Sequence, residues 1–192
     1  MAIKNYGPPL KWMAACAVLV GGFEGLSTTA YHDNPANGLP TVCYGETEGV
    51  KMGDHYTKQQ CLDMLEQKLP RYWYEIAACI KVPLSDNEKI SYTSFTYNLG
   101  SGAFCRSSFL KKLNGGHHSE ACEGMLAYNR TRSVGYVKGL DIRRHKEVAI
   151  CQTIDKHGAV VVIVPLGPKP APFEKPVPPA AISPKRWWQF WK

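Results

Sequence analysis

The sequence predicts an α+β domain that is mostly α, with one small β region near its start and an extended Pro-rich tail. Three observations predict it. Apolar residues recur at helical spacing in separate stretches up to Gln152, between capping residues and glycines. The segment from Ser27 to Thr47 is instead dense in Thr, Tyr, Gly, Pro and Asn. From Pro165 onward proline dominates, and polyproline-type extension is the expected state.

The elements follow in order. Pro8-Pro9 disfavours helix before Leu10, and the apolar run after it predicts a helix to about Leu26. Ser27–Thr47 reads as short strands, with Pro35-Ala-Asn-Gly38 as a turn. Thr57 is an N-cap for a helix carrying Leu62, Leu65, Leu69, Tyr72 and Ile76, with a kink or break expected near Leu69 because Pro70 follows. Ser85 caps the next helix, whose inward face is Ile90, Thr93, Phe95 and Tyr97 and which Asn98-Leu-Gly-Ser-Gly102 ends. Ser107–Leu113 is a short helix closed by Asn114-Gly-Gly116, and Ser119 caps another through Tyr128. Leu140–Gln152 is a basic amphipathic helix with Ile142, Val148 and Ile150 toward the core and Arg143, Arg144, His145 and Lys146 on a solvated face or one that contacts an anionic wall polymer. Ala159-Val-Val-Val-Ile-Val164 is β-prone but stands alone. Residues 1–11 form a flank, 12–152 the domain and 153–192 the extension.

Composition bounds the function. The chain has 192 residues and 44% hydrophobic content, enough for one domain with its own core. Only 20% of residues are charged, which argues against a long disordered chain. A net charge of +7 suits an anionic polymer or surface without choosing among nucleic acid, cell wall and lipid. The seven cysteines are dispersed and form no C-x-x-C pair, which favours an oxidising compartment over a zinc or thioredoxin-type site. An odd number leaves at least one thiol unpaired. Cys122 with Cys151 is the preferred disulfide, since both lie in the last helical segments. Cys61 and Cys79 would stand about 27 Å apart on a continuous helix, so pairing them would require a break. No metal site and no cofactor are expected. His117-His118 reads as a loop pair beside glycines. Lys4 and Lys11 ahead of the apolar run Trp12–Phe23 have the order of a secretory signal, but the run is too short for an ordinary membrane span. At the other end, tryptophans and a phenylalanine interleaved with cations in residues 184–192 suit a membrane interface or packing onto the domain.

Glu24 is the first carboxylate and follows the apolar segment beside Phe23 and Gly25. Apolar surroundings would favour its neutral, proton-donating form. Asp33 sits among polar neighbours, where it would stay ionised, and the Thr41 hydroxyl could help it hold a water. One protonated and one charged carboxylate across a cleft are the equipment for hydrolysing a glycosidic bond. Their spacing alone does not establish this, because unrelated surface acids recur at such spacing in most proteins.

The motifs in sequence are more specific. Phe23-Glu-Gly-Leu-Ser-Thr-Thr-Ala-Tyr-His-Asp33, then Gly38-Leu-Pro-Thr41-Val-Cys-Tyr-Gly-Glu-Thr47, resembles the opening motif of the phage-type lysozymes, glycoside hydrolase family 24. Val82-Pro-Leu, Phe95-Thr-Tyr-Asn98-Leu-Gly100 and Gly102-Ala-Phe-Cys-Arg-Ser-Ser-Phe-Leu110 resemble that family's core helices. Gly139-Leu-Asp-Ile-Arg-Arg144 to Cys151 resembles its last basic helix. The resemblance spans Trp12 to Gln152 in order. It implies a lysozyme-like fold and a monomeric muramidase that cuts the β-1,4 bond between N-acetylmuramic acid and N-acetylglucosamine. It places the general acid at Glu24, the second carboxylate at Asp33 and the third catalytic residue at Thr41, with Tyr31, Tyr44 and Asn98 as substrate contacts. Inversion by a water held by Asp33 and Thr41 is the implied outcome. Glu46 stands where many members have histidine and Cys43 replaces a common glycine. The loop from Asp33 to Thr41 is longer than usual.

The implied partner is the peptidoglycan glycan strand, not nucleic acid, and the implied place of action is the host periplasm. The weakly apolar segment beside Glu24 resembles the signal-arrest-release endolysins, whose first segment enters the membrane before refolding into the domain. Membrane association through residues 12–23 and 184–192 is therefore expected. A virion-borne lysozyme, or a weakened wall-binding protein with a membrane-active tail, are the alternatives.

Overall fold

A computed structural model describes residues 11–33, 38–131 and 133–153. The turn at 35–37, the strand-prone run 159–164, the proline-rich tail and the Trp-rich segment 184–192 lie outside them. Within them the expected α+β, mostly helical architecture is present.

The first helix, α1, spans Lys11–Gly21 and not Leu10–Leu26. It stops early because Gly21 and Gly22 are poor helix formers. At Gly21 a Cβ would also stand only 3.3 Å from the Tyr44 ring. The chain then turns, with the amides of Phe23 and Glu24 both donating to the Val20 carbonyl. Strands β1 (Ser27–Asp33) and β2 (Leu39–Cys43) follow as an antiparallel hairpin, pairing Tyr31 with Thr41 and Asp33 with Leu39.

Helix α2 (Lys58–Ala77) opens with a full capping box between Thr57 and Gln60. It runs through Pro70 without the break expected near Leu69. Proline in a helix interior costs about 3 kcal/mol. Leu69 and Ile76, on either side of it, are fully buried in two different cores. Burying two such side chains is worth about 1.5–3 kcal/mol each and offsets that cost.

Helix α3 (Asp86–Leu99) has a second capping box, Ser85 with Glu88. The expected inward face, Ile90, Thr93 and Phe95, is buried, but so are Ser91, Tyr92, Ser94 and Thr96. α3 is the central helix, packed by α1, α2 and a last helix, α7 (Lys138–Cys151), on different sides. Its small polar side chains let those neighbours approach. Gly100 ends it with a left-handed φ of 83°. Between α3 and α7 lie α4 (Ser101–Cys105), α5 (Ser108–Asn114), α6 (His118–Gly124), a 3₁₀ turn (Met125–Ala127) and a minimal hairpin, β3 (Arg130–Thr131) and β4 (Gly135–Tyr136). Ser107 caps α5 as expected. The N-cap of α6 is His117, not Ser119, whose hydroxyl instead receives a bond from Gln152. His118 is not in a loop either: it begins α6 and its ring binds the buried Glu88 carboxylate.

Two cores result. The N-terminal core joins α1 to β2, α2 and Ile90, and the C-terminal core joins the rest of α2 and α3 to α4–α7. Trp73 packs against both, its ring edge-on to Trp12. In the second core Gly124 lies so close to Phe109 that a Cβ there would collide with the phenylalanine Cβ. Three disulfides tie the fold: Cys43–Cys61, Cys79–Cys105 and the expected Cys122–Cys151. Cys16 is the free thiol, buried on α1. No helix of the described residues is long and apolar enough to cross a membrane.

Candidate active site

Glu24 lies in the turn after α1 and not inside a helix. Its carboxylate is partly exposed and Oε1 accepts a bond from Arg143 Nη1 at 2.8 Å. The sequence suggested apolar surroundings for Glu24; the structure gives it a guanidinium, delivered by α7 from the other lobe. The turn is clamped beside it as well. The Phe23 ring lies under two cations of α7, Arg143 at 4.7 Å and Lys146 at 5.6 Å from the centroid.

This overturns the solvated basic face expected for α7. Arg143 and Arg144 are buried, and only His145 and Lys146 of the four face solvent. Ile142, assigned to the core, is exposed instead. The reason is a buried carboxylate on the same helix, Glu147, which is fully buried. Glu147 Oε1 accepts from the Ser94 hydroxyl at 2.6 Å, from Arg143 Nε at 3.2 Å and from Arg144 Nη2 at 3.2 Å. Arg144 Nε also lies 3.0 Å from Oε2, close enough for charge attraction although the angle makes no straight hydrogen bond. Buried charges persist only when paired in this way. Burial pushes the Glu147 carboxyl above its ordinary value, opposed by Arg144, Ser94 and Arg143. Burial likewise brings Arg144 down to about 10. The Arg144 ring-like guanidinium plane covers Phe95, and Nη2 also donates to Asn98 Oδ1 at 3.0 Å.

Asp33 ends β1 opposite Leu39. Thr41 is buried and its hydroxyl donates to the Leu39 carbonyl at 3.0 Å, so it is tied to the residue paired with Asp33. The hairpin is closed next to Asp33 by His32 Nδ1, 2.8 Å from the Gly38 carbonyl. A carbonyl only accepts, so this nitrogen carries the proton. The arrangement places Asp33 and Thr41 on one hairpin and Glu24 on the turn that leads into it.

The other assigned residues divide. Tyr31 is exposed on β1 and Asn98 half-buried at the end of α3, held by Arg144. Tyr44 is not an open contact surface. It is buried in the N-terminal core, its ring filling the space a side chain at Gly21 would need and its carbonyl accepting from the Tyr97 hydroxyl at 3.0 Å. Burial, and then the charge of Glu24, push the Tyr97 phenol well above its usual range.

The two departures from the family motif have physical explanations. Cys43 has φ 58°, in the left-handed region, which is where a glycine would serve without strain. The bond to Cys61 on α2 holds the cysteine there. Glu46 is buried; its Oε1 accepts from the amides of Thr47 and Glu48, both at 3.0 Å, and Oε2 faces Lys68 Nζ at 3.3 Å. It closes the turn after β2 and anchors it to α2.

Arg143 and Glu147 join Glu24 here although the sequence pattern places Arg143 on a solvated face and gives Glu147 no role. The signal available was weak: two adjacent arginines followed by Glu147 on one helix face at i, i+4 spacing.

The phage lysozyme family profile matches residues 21–147, which include every residue of this arrangement. The chain belongs to the phage lysozyme family. As a member it is a glycoside hydrolase that degrades peptidoglycan. It is 38% identical over 148 residues to a SAR-endolysin of Pseudomonas phage phiKMV, covering 74% of this chain and 91% of the relative. It is 32% identical over 128 residues to a SAR-endolysin of Escherichia phage Mu, covering 66% and 72%. Among solved structures, an endolysin of an Escherichia coli phage, FAHEc1, superposes with a TM-score of 0.65 at 29% identity, covering 77% of this chain and 95% of that one. The family fold therefore accounts for the two-lobed helical architecture and its hairpin.

Proposed function

We propose that this family member is a muramidase endolysin that hydrolyses the β-1,4 bond between N-acetylmuramic acid and N-acetylglucosamine. The observation that carries the reading is the Glu24 carboxyl, partly exposed on a fixed turn and oriented by Arg143. Glu24 protonates the leaving-group oxygen as the glycosidic bond breaks. Asp33 accepts a proton from a water that attacks the opposite face of the sugar, and Thr41 helps to hold that water. Inversion at the anomeric carbon follows. Tyr31 and Asn98 are the substrate contacts in this reading.

The place of action is the host periplasm. The apolar residues 12–23 enter the membrane first, in the manner the names of the SAR-endolysin relatives suggest. Trp12, Met13, Cys16, Ala17 and Val20 are the buried face of α1 in the folded domain. That face cannot contact lipid and the N-terminal core together, so the turn carrying Glu24 is set only after release. Fractionation of expressing cells, with and without collapse of the membrane potential, tests this by the movement of protein from membrane to soluble periplasm.

Mass spectrometry of digested sacculi tests the bond. Fragments ending in reducing muramic acid are expected; reducing glucosamine would contradict the muramidase reading. Glu24→Gln should abolish clearing of permeabilised Gram-negative cells. Retained clearing would remove Glu24 as the acid.

A further inference from the structure

We propose that Glu147 is a positioning residue for hydrolysis: acting through Arg143 from inside the core, it sets the pH range over which Glu24 can donate its proton. The proposal rests on Glu24 being the general acid.

One guanidinium serves two carboxylates. Arg143 reaches Glu147 through Nε at 3.2 Å and Glu24 through Nη1 at 2.8 Å, while Nη2 donates to the Ser94 carbonyl at 3.2 Å. Its plane is thus held on both sides, and it cannot turn toward one acid without leaving the other. The charges balance only in one protonation state. Arg143 and Arg144 face Glu24 and Glu147, so two positive charges match two negative ones when both acids are ionised. When Glu24 holds the proton it must donate, one positive charge is in excess, and Glu147 is what keeps that excess from growing to two.

The surroundings of both acids fit this role. Glu147 meets Arg143 and Arg144 on its own helix, the Ser94 hydroxyl on α3, and Cys16 on α1, whose thiol burial and the Glu147 charge together push up. Glu24 meets Arg143 from α7, burial and the Glu24 charge together push up the Tyr97 phenol on α3, and Lys146 stands over the adjoining Phe23 ring. Glu147 is therefore the one carboxylate drawing Arg143 away from Glu24 among these described groups. Without it Arg143 would hold Glu24 as a carboxylate to lower pH. Without Arg144 the opposite follows, because Glu147 would be left to Arg143 alone.

The test compares Glu147→Gln, Arg144→Gln and the wild-type full chain, each with its disulfides formed, in pH profiles of kcat on isolated sacculi. The alkaline limb of the profile should move about one pH unit down in Glu147→Gln and up in Arg144→Gln. Thermal unfolding of each variant separates loss of fold from loss of rate. Lost packing alone lowers activity at every pH and cannot move two limbs in opposite directions. If both folded variants keep the wild-type limb, Glu147 is structural only and the proposal is overturned. Should Glu147→Gln fail to fold, Glu147→Asp, which draws the carboxylate back from Arg143, should move the limb down by less, and an unmoved limb in that folded variant overturns the proposal. Retained activity in Glu24→Gln would instead sink the underlying assignment of the acid, which the limbs do not measure.

Discussion

Glu24 and Arg143, 119 residues apart in sequence, are joined by a 2.8 Å hydrogen bond that links the turn after α1 to the last helix of the domain. It is partly exposed at the carboxylate and buried at the guanidinium. Arg143→Lys keeps a charge but cannot span Glu24, Glu147 and Ser94 at once. A charge-assisted hydrogen bond is worth about 1.5–3 kcal/mol. The variant should lose about 10- to 100-fold in kcat, with a smaller change in KM, measured by release of soluble fragments from sacculi.

The left-handed backbone at Cys43 makes a comparison between two variants informative. Cys43→Gly and Cys43→Ala both remove the bond to Cys61, so the disulfide term cancels between them. Glycine accepts φ 58° freely and alanine does not. Chemical denaturation should find the glycine variant about 1 kcal/mol more stable than the alanine variant. Equal stabilities would show that the region relaxes once the disulfide is gone.

Cys16 is fully buried, its Sγ within 3.6 Å of the Ile90 carbonyl, and burial pushes its thiol far above the usual range. The native, oxidised protein should therefore show no reactive thiol toward a small aromatic disulfide reagent, and one per chain after denaturation without reductant. Three thiols on unfolding would mean that one of the three disulfides is absent.

Asp141 supplies a pH dependence with a definite sign. Hydrogen bonds from Asn129 and Tyr136 hold its carboxyl below the usual carboxylate value, assisted by His145. A group lowered in the folded state stabilises the fold above its unfolded pKa, and that contribution is lost as pH falls through its folded value. Wild type should therefore exceed Asp141→Asn in melting temperature near neutrality, and the two should converge below about pH 4. A difference that persists in acid would mean that the side-chain contacts, not the charge, carry the effect.

Local chemistry was legible in the sequence by itself. The caps at Thr57, Ser85 and Ser107 work through atoms three residues away, so a few letters contain the whole interaction. The β region after Leu26 was legible because its turn and strand formers are dense in a short stretch, whereas the turn that holds Glu24 reads as helix although α1 ends three residues before that acid. Cys122–Cys151 was inferred because both ends fall in neighbouring helical segments.

Only the tertiary structure decided what joins distant segments. It carried α2 through Pro70 because two separate cores bury the helix on either side of it. It buried Tyr44 in the N-terminal core. It turned Arg143 and Arg144 inward, because Glu147 is buried on their own helix and charge in a poorly solvated interior must find its partner there. A sequence records charge and spacing; which carboxylate a guanidinium faces depends on how two lobes close on each other.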